Sequence, residues 1–389
     1  IAKQVIKEHT LNLMFVMIII NFLNKNFKII IQMIVIGLLT SGVVALKNAT
    51  KINKSKLLKV DVDNDFINVI NCSTFVDKTL LIEEIFNHRT LFITAPPGFG
   101  KSTNLKMLKL FLETETYETG VVKAMKDTNK YRVFFKNNLA IFKIKKVFNT
   151  HFAKYPVMYV EYGELLNVQD FKSCLNAFRN ILRKTYLRYK FLSSIEELWH
   201  SEGEMKIFSK FSSASQSRTL DMYDIKFGFE YLPEVLYRHF KTKVVILVDD
   251  YDTYVNYIKK KKVKDKRLIL DFVRSLNSGM LVDNEFLDRA ILTGEIVDLE
   301  STTTLRYTKV YHVLYDDIFS KYYGLTEADL GAILNVQNCT EKEKILQHCK
   351  KEQQKLKKYF EKKKMWRDFG MVNEKPVNTL YSFCSLLNC

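Results

Sequence analysis

A chain of 389 residues with a formal charge of +17 and 47% hydrophobic residues has room for two average domains or one large α/β domain, and is too apolar to be a disordered chain. The charge is compatible with nucleic acid or acidic lipid as a partner, but charge alone points weakly to any partner, and the joint abundance of Lys, Asn, Ile, Phe and Tyr accounts for it as compositional bias. Six cysteines without a CxxC pair argue against a zinc site and are too sparse for a disulfide-stapled scaffold.

In chain order, the first feature is an uncharged apolar run of 18 residues, 29–46, close to the length that spans a bilayer. With Met33 as the start, the run followed by Thr40-Ser41-Gly42 and Val43-Val44-Ala45 reads as a secretory signal, the reading favoured here. The rival is a membrane anchor. Lys47, Lys51, Lys54, Lys56 and Lys59 outnumber Lys25 and Lys28, which by the positive-inside rule leaves the following domain in the cytoplasm. A core helix ranks third, because the run shows no amphipathic period. Sequons at Asn48, Asn53, Asn71 and Asn338 do not arbitrate in so Asn-rich a chain. Residues 1–46 are therefore expected to be a signal peptide or anchor, 47–65 a polar linker, 66–330 the main domain and 331–389 a helical extension.

From about Ile67 apolar runs alternate with helical stretches, the mark of an α/β domain. The runs 90–95, 156–162, 244–249, 289–293 and 309–314 predict buried strands. Stretches 105–112, 171–189 and 268–276 predict helices between them. Residues 193–223, rich in Ser and charge, fit neither period and predict an insertion of irregular or short helical structure. Lys259 to Lys262 and the mixed Lys/Glu segment 341–364 read as solvated surface.

The punctuation of the chain is uneven. It holds only 5 prolines and 13 glycines, yet two of each fall in TAPPGFGKST, residues 94–103. A buried-strand run, Leu91-Phe92-Ile93, precedes this loop, and a helix rich in leucine follows it, the context that a phosphate-binding loop requires. Gly98 and Gly100 let backbone N–H groups turn toward phosphate oxygens, and a helix starting near Lys101 adds its own N–H groups and the positive end of its dipole. On this reading the cradle is Ala95, Pro96, Pro97, Gly98, Phe99, Gly100, Lys101, Ser102 and Thr103. Lys101 reaches the β- and γ-phosphates of ATP, Ser102 takes a place on Mg²⁺, and Thr103 offers a hydroxyl near the α-phosphate. Ala95 stands where the general pattern GxxxxGK[ST] has Gly.

The second half of such a site is a carboxylate on a neighbouring strand. VVILVDDYD, residues 244–252, offers five apolar residues that read as a central parallel strand, with Asp249 at the carboxyl edge where ligands collect in open α/β sheets. Asp249 is the candidate metal carboxylate, Asp250 the candidate that orients or activates the attacking water, and Asp252 a supporting partner or alternative activator. Thr293, before Gly294 at the end of a later apolar run, is a candidate contact to the γ-phosphate. No histidine stands in a partner pattern. Arg289 and Arg306 are the nearest arginines.

Together these residues resemble the predicted AAA-ATPase-like family of P-loop proteins, whose bacterial members are often joined to a restriction-nuclease-like domain. FVDKT at 75–79 is similar to the family's F-V-D-K-[ST] opening, FGKSTNLKMLKLFLE at 99–113 to FGKTxNLxMLxxFF, and HFAKYPVMYVEY at 151–162 to its second strand with the KYPV lead-in. VDDYD stands where the family often has IDEYD. LTGEI at 292–296 and YYGLTEADL at 322–330 match its TG strand and GFTEEEV segment, and Trp366 and Asn378 resemble remnants of WYxGY…YNPWS. The resemblance covers roughly residues 66–385. It implies an α/β P-loop NTPase three-layer sandwich with a parallel sheet of order 5-1-4-3-2, a helical insertion and a helical C-terminal region. Three departures stand out: Asp250 replaces the usual Glu, the Arg a few residues after TG is replaced by the Ile296-Val297-Asp298 neighbourhood, and the WYxGY box reads WRDFG at 366–370.

Three functional expectations follow. The leading one is an ATP-binding, Mg²⁺-dependent ATPase. The second is a catalytically degenerate nucleotide-binding or scaffold protein, and the third is ATP-coupled nucleic-acid binding by the Lys-rich faces. Membrane contact is expected only through the N-terminal segment.

Overall fold

Val244–Asp249 (β3) is buried along its whole length, and its composition explains why. Val244, Ile246 and Val248 enter one apolar cluster while Val245 and Leu247 enter another, so both faces of the strand are covered, as parallel sheets require. The computed structural model describes residues 64–72, 75–282, 284–295 and 308–336, together with Gln347. The expected signal or anchor segment, the linker up to residue 63, Arg306 and the extension beyond 336 apart from Gln347 lie outside the described residues. Among the described residues no helix is long and apolar enough to cross a membrane.

Four further strands flank β3: Thr90–Thr94 (β1), Val157–Glu161 (β2), Leu287–Gly294 (β4) and Lys309–His312 (β5). All neighbouring pairs are parallel, in the order β2-β3-β4-β1-β5, which is the expected order read from the other edge. Every carboxyl end therefore opens on one side of the sheet. The register sets Glu161 opposite Asp249, Val248 opposite Leu292, and Ile93 opposite Thr293.

Two layers cover the sheet. On one face lie Leu91, Ile93, Val157, Tyr159, Leu247 and Ile291, packed with helix α3 (Lys101–Leu112). The same face carries α1 (Asn64–Ile70), α2 (Leu81–Glu84) and a run of short helices, α4 (Asn129–Lys136), α5 (Ala140–Lys143) and α6 (Lys145–His151). Aromatic edges bind that run to α3: Phe111 meets Phe134, Phe148 and Phe152 edge-on at 5.3–5.6 Å, the favoured geometry for such rings.

The opposite face is covered by α7 (Phe171–Leu187), α8 (Glu202–Ser212), α9 (Met222–Phe240) and α11 (Lys266–Leu281), and α10 (Thr253–Lys260) follows β3 directly. Helix α12 (Glu327–Val336) follows β5. Local chemistry sets several boundaries. Asp170 and Ser173 form a reciprocal capping box that starts α7, and Asp221 with Asp224 does the same for α9; each satisfies N–H groups that a helix start leaves without partners. The stretch 193–223 holds 3₁₀ turns and the whole of α8.

Candidate nucleotide site

The loop after β1 is shaped by residues that restrict or release the backbone. The Ala95 N–H donates to Gly294 O at 2.9 Å and extends the β1–β4 ladder by one residue. Pro96 and Pro97 have no N–H to continue it, and the Phe99 N–H turns back to Pro96 O at 3.4 Å. Gly98 and Gly100 then take φ of +79° and +80°, a left-handed conformation that costs a side-chain-bearing residue about 1–2 kcal/mol. Gly100 is the N-cap of α3 and supplies no capping side chain, which leaves the positive end of that helix to the loop's concave side. Ser102 and Thr103, partly exposed, lie in this first turn.

Phe99 anchors the loop from behind. Its ring is buried beside Ala95 and Leu105 in the α3-side cluster, and its carbonyl accepts from the Gly324 N–H at 2.9 Å. The Asn104 side-chain amide donates to Tyr322 O at 2.9 Å, so the segment before α12 grips both loop and helix. Lys101 is buried and folded back over the loop: its Nζ donates to Ala95 O at 3.0 Å and to Pro96 O at 3.3 Å.

Asp249 forms the acidic pole at the same edge of the sheet. It is 2% exposed, and its carboxylate is held from both neighbouring strands. Oδ1 accepts from the Thr293 hydroxyl at 2.6 Å and the Asp250 N–H at 3.2 Å, and Oδ2 accepts from the Tyr159 hydroxyl at 3.1 Å. Asp250 sits at φ +55°. Burial first, then the neighbouring Asp249, push its carboxyl up to about 6 against the pull of the Lys101 ammonium, with Glu295 and Glu161 adding to the rise. A Cβ on Gly163 would stand 3.8 Å from Glu161 Oε1 and 3.9 Å from Asp250 Oδ2, so these two carboxylates border the same small space.

Asp252 is fully buried and turned to other work. It accepts from the Glu295 N–H at 3.0 and 3.1 Å and from Asn256 Nδ2 at 3.0 Å. Gly294 passes so close to it that a Cβ there would lie 2.8 Å from Asp252 Cγ and 2.9 Å from Phe92 Cε2. Packing thus accounts for the glycine of the Thr293-Gly294 pair, and the bond to Asp249 for a hydroxyl at 293.

The fold brings Ala95 to Thr103, Asp249, Asp250 and Thr293 to one edge of the sheet. Arg289 is elsewhere: near the amino end of β4, it donates to Ile85 O, His88 O and Asp288 and lies over the Phe86 ring. Tyr159 and Glu161, though inside the 151–162 motif, and His312 carry no role assigned from the sequence. His312 ends β5, where burial and then the Lys101 cation push its imidazole down to about 3. Its Nδ1 accepts from the Leu314 N–H at 3.3 Å, which leaves the proton of the neutral ring on Nε2. The rule that picked Asp249, a polar residue where a strand exits, applies equally to His312 and Glu161. Among the described residues no cluster of three or more His, Cys, Asp or Glu is arranged to hold a metal.

No curated protein and no solved structure matches the chain. The family model described as Predicted AAA-ATPase matches residues 64–302, from α1 through β4, including the loop, the β3 carboxylates and Thr293. With more than half its length so matched, the chain belongs to the AAA-ATPase-like family.

Proposed function

We propose that residues 66–330 form a unit that binds ATP with Mg²⁺ and hydrolyses it slowly. One arrangement carries this reading: a loop left-handed at Gly98 and Gly100 feeds the amino end of α3, with Lys101 folded over it and Asp249 at the same sheet edge. Backbone N–H groups of the loop and first helical turn receive phosphate oxygens. The Lys101 ammonium exchanges the carbonyls of Ala95 and Pro96 for the β- and γ-phosphates, so the charge is already in place before nucleotide arrives.

The Ser102 hydroxyl and the Asp249 carboxylate would hold Mg²⁺. These oxygen donors suit a hard cation that takes one or two protein groups and draws its other ligands from water and phosphate. When bound, the ion neutralises charge growing on the β- and γ-oxygens. Asp250, whose carboxyl titrates near 6, accepts the proton of the attacking water. Thr293 acts in this scheme by holding Asp249.

A second reading, nucleotide binding without turnover, draws on Asp250 itself. The short side chain stands on a left-handed backbone where the family often has Glu, and reaches one methylene less far. Calorimetric titration with MgATP and phosphate release, run on wild type and Lys101→Ala, separate the possibilities. Loss of the charge-assisted bonds weakens binding by about 10- to 100-fold. Equal affinities refute the site, and tight wild-type binding without phosphate release selects the second reading.

A further inference from the structure

We infer that Tyr159 is a positioning residue for the metal-holding carboxylate, fixing which oxygen of Asp249 faces the cation; this rests on the nucleotide reading above. An ionised carboxylate offers about four lone-pair sites. In Asp249, Oδ1 takes two donors, Thr293 Oγ and the Asp250 N–H, whereas Oδ2 takes one, the Tyr159 hydroxyl. Oδ2 is thus the oxygen with more capacity left for a metal or its water, and among the described residues the bond steering it comes from Tyr159. The two hydroxyls arrive from the strands on either side of β3, so the carboxylate cannot rotate without breaking both.

Two cations lie over the ring of Tyr159. The Arg188 guanidinium carbon lies 5.2 Å from its centroid and Lys109 Nζ lies 5.8 Å away. Positive charge over the ring withdraws electron density from the phenol and makes its hydroxyl a stronger donor. Lys109 belongs to α3, the helix that begins with Lys101, so the element gripping phosphate also bears on the residue that aims Asp249.

The test separates metal from nucleotide. ATP binding to the full chain is followed by calorimetry in EDTA and over a series of Mg²⁺ concentrations, for wild type, Tyr159→Phe, Thr293→Val and Thr293→Ser. Partners that orient a ligating group typically change metal affinity by 10- to 100-fold. Tyr159→Phe should therefore raise the half-saturating Mg²⁺ by about that factor while affinity in EDTA stays within about twofold. Thr293→Val should shift it likewise, and Thr293→Ser should restore it. Should Tyr159→Phe fail to fold, Arg188→Met leaves the hydroxyl in place and should raise the Mg²⁺ requirement a few-fold. An unchanged Mg²⁺ dependence in the folded variant, beside a wild type that shows one, overturns this inference alone. A wild type that binds no ATP, with or without Mg²⁺, overturns the nucleotide reading and this inference with it.

Discussion

Replacing Gly294 with alanine puts a methyl group where two neighbours already stand. The new Cβ meets Asp252 Cγ at 2.8 Å, with Asp252 Oδ1 closer still, and Phe92 Cε2 at 2.9 Å. Phe92 is fully buried and packs edge-on against Tyr251 at 5.4 Å, so the carboxylate must move. Moving it breaks bonds from the Glu295 N–H and Asn256. Overpacking costs about 1–3 kcal/mol and a lost hydrogen bond to a buried charge about 1.5–3 kcal/mol. The expected destabilisation is about 2.5–6 kcal/mol, a fall in midpoint of about 5–20 °C in thermal unfolding. The cause is tested by a double-mutant cycle: with Asp252→Ala already present, Gly294→Ala should cost at least about 1 kcal/mol less. A single mutant within about 0.5 kcal/mol of wild type, or strict additivity in the cycle, refutes the steric account.

Three further outcomes are expected. Gly331 lies in α12 with nothing within 4 Å of its would-be Cβ, so Gly331→Ala should stabilise by about 0.5–1 kcal/mol, whereas Gly100→Ala at φ +80° should destabilise by about 1–2 kcal/mol; thermal melts of both, with opposite signs, check the backbone reading. Glu204 is held down at about 2: burial works to raise it, but Arg238, the His200 N–H and the Tyr231 hydroxyl outweigh that. The folded state thus binds this proton less tightly than the unfolded chain, so the stability it brings is complete above about pH 4.5 and lost as pH falls toward 2. Wild type should exceed Glu204→Gln by about 1–3 kcal/mol at neutral pH, with the gap closing over that acid range. A gap that holds from pH 6 to 3 in denaturant titrations contradicts the assignment.

The sheet was legible because strands buried on both faces write unbroken apolar runs. All five expected runs hold a strand, with no bound off by more than two residues and 244–249 matched at both ends. The helices were read unevenly. The leucine pattern of α3 shows only from Leu105, yet the helix starts at Lys101, as the phosphate-loop reading expected, with a left-handed glycine rather than a side-chain cap before it. Helix α9 was missed altogether: Ile225, Phe229, Leu232 and Leu236 keep helical spacing on its buried face, but it carries Pro233 in its interior, a residue that ordinarily breaks a helix. The short helices α4 to α6 escaped because their aromatic residues pack on α3 and on one another, and no single one of them is long enough to show a period.

The site was legible where chemistry lies along the chain and hidden where it lies across it. The tight turn at Gly98 and Gly100 and the helix start at Lys101 are written in nine consecutive residues, Ala95 to Thr103. The bond from Tyr159 to Asp249 joins residues 90 apart and follows only from strand order and register. Glu161 pairs with Asp249 and Tyr159 with Leu247, so Tyr159 starts two residues short of the carboxylate, about 6.6 Å along the strand. Alternation places Tyr159, Leu247 and Asp249 on the same face, the one that carries α3. A serine or threonine at 159 would face the right way and fall short, whereas a tyrosine spans the offset. On the other side, Thr293 follows Leu292, the partner of Val248, and stands level with Asp249, where a short hydroxyl suffices. The lengths of the two donors thus match the two registers, which is why removing either hydroxyl should loosen the carboxylate while leaving the sheet intact.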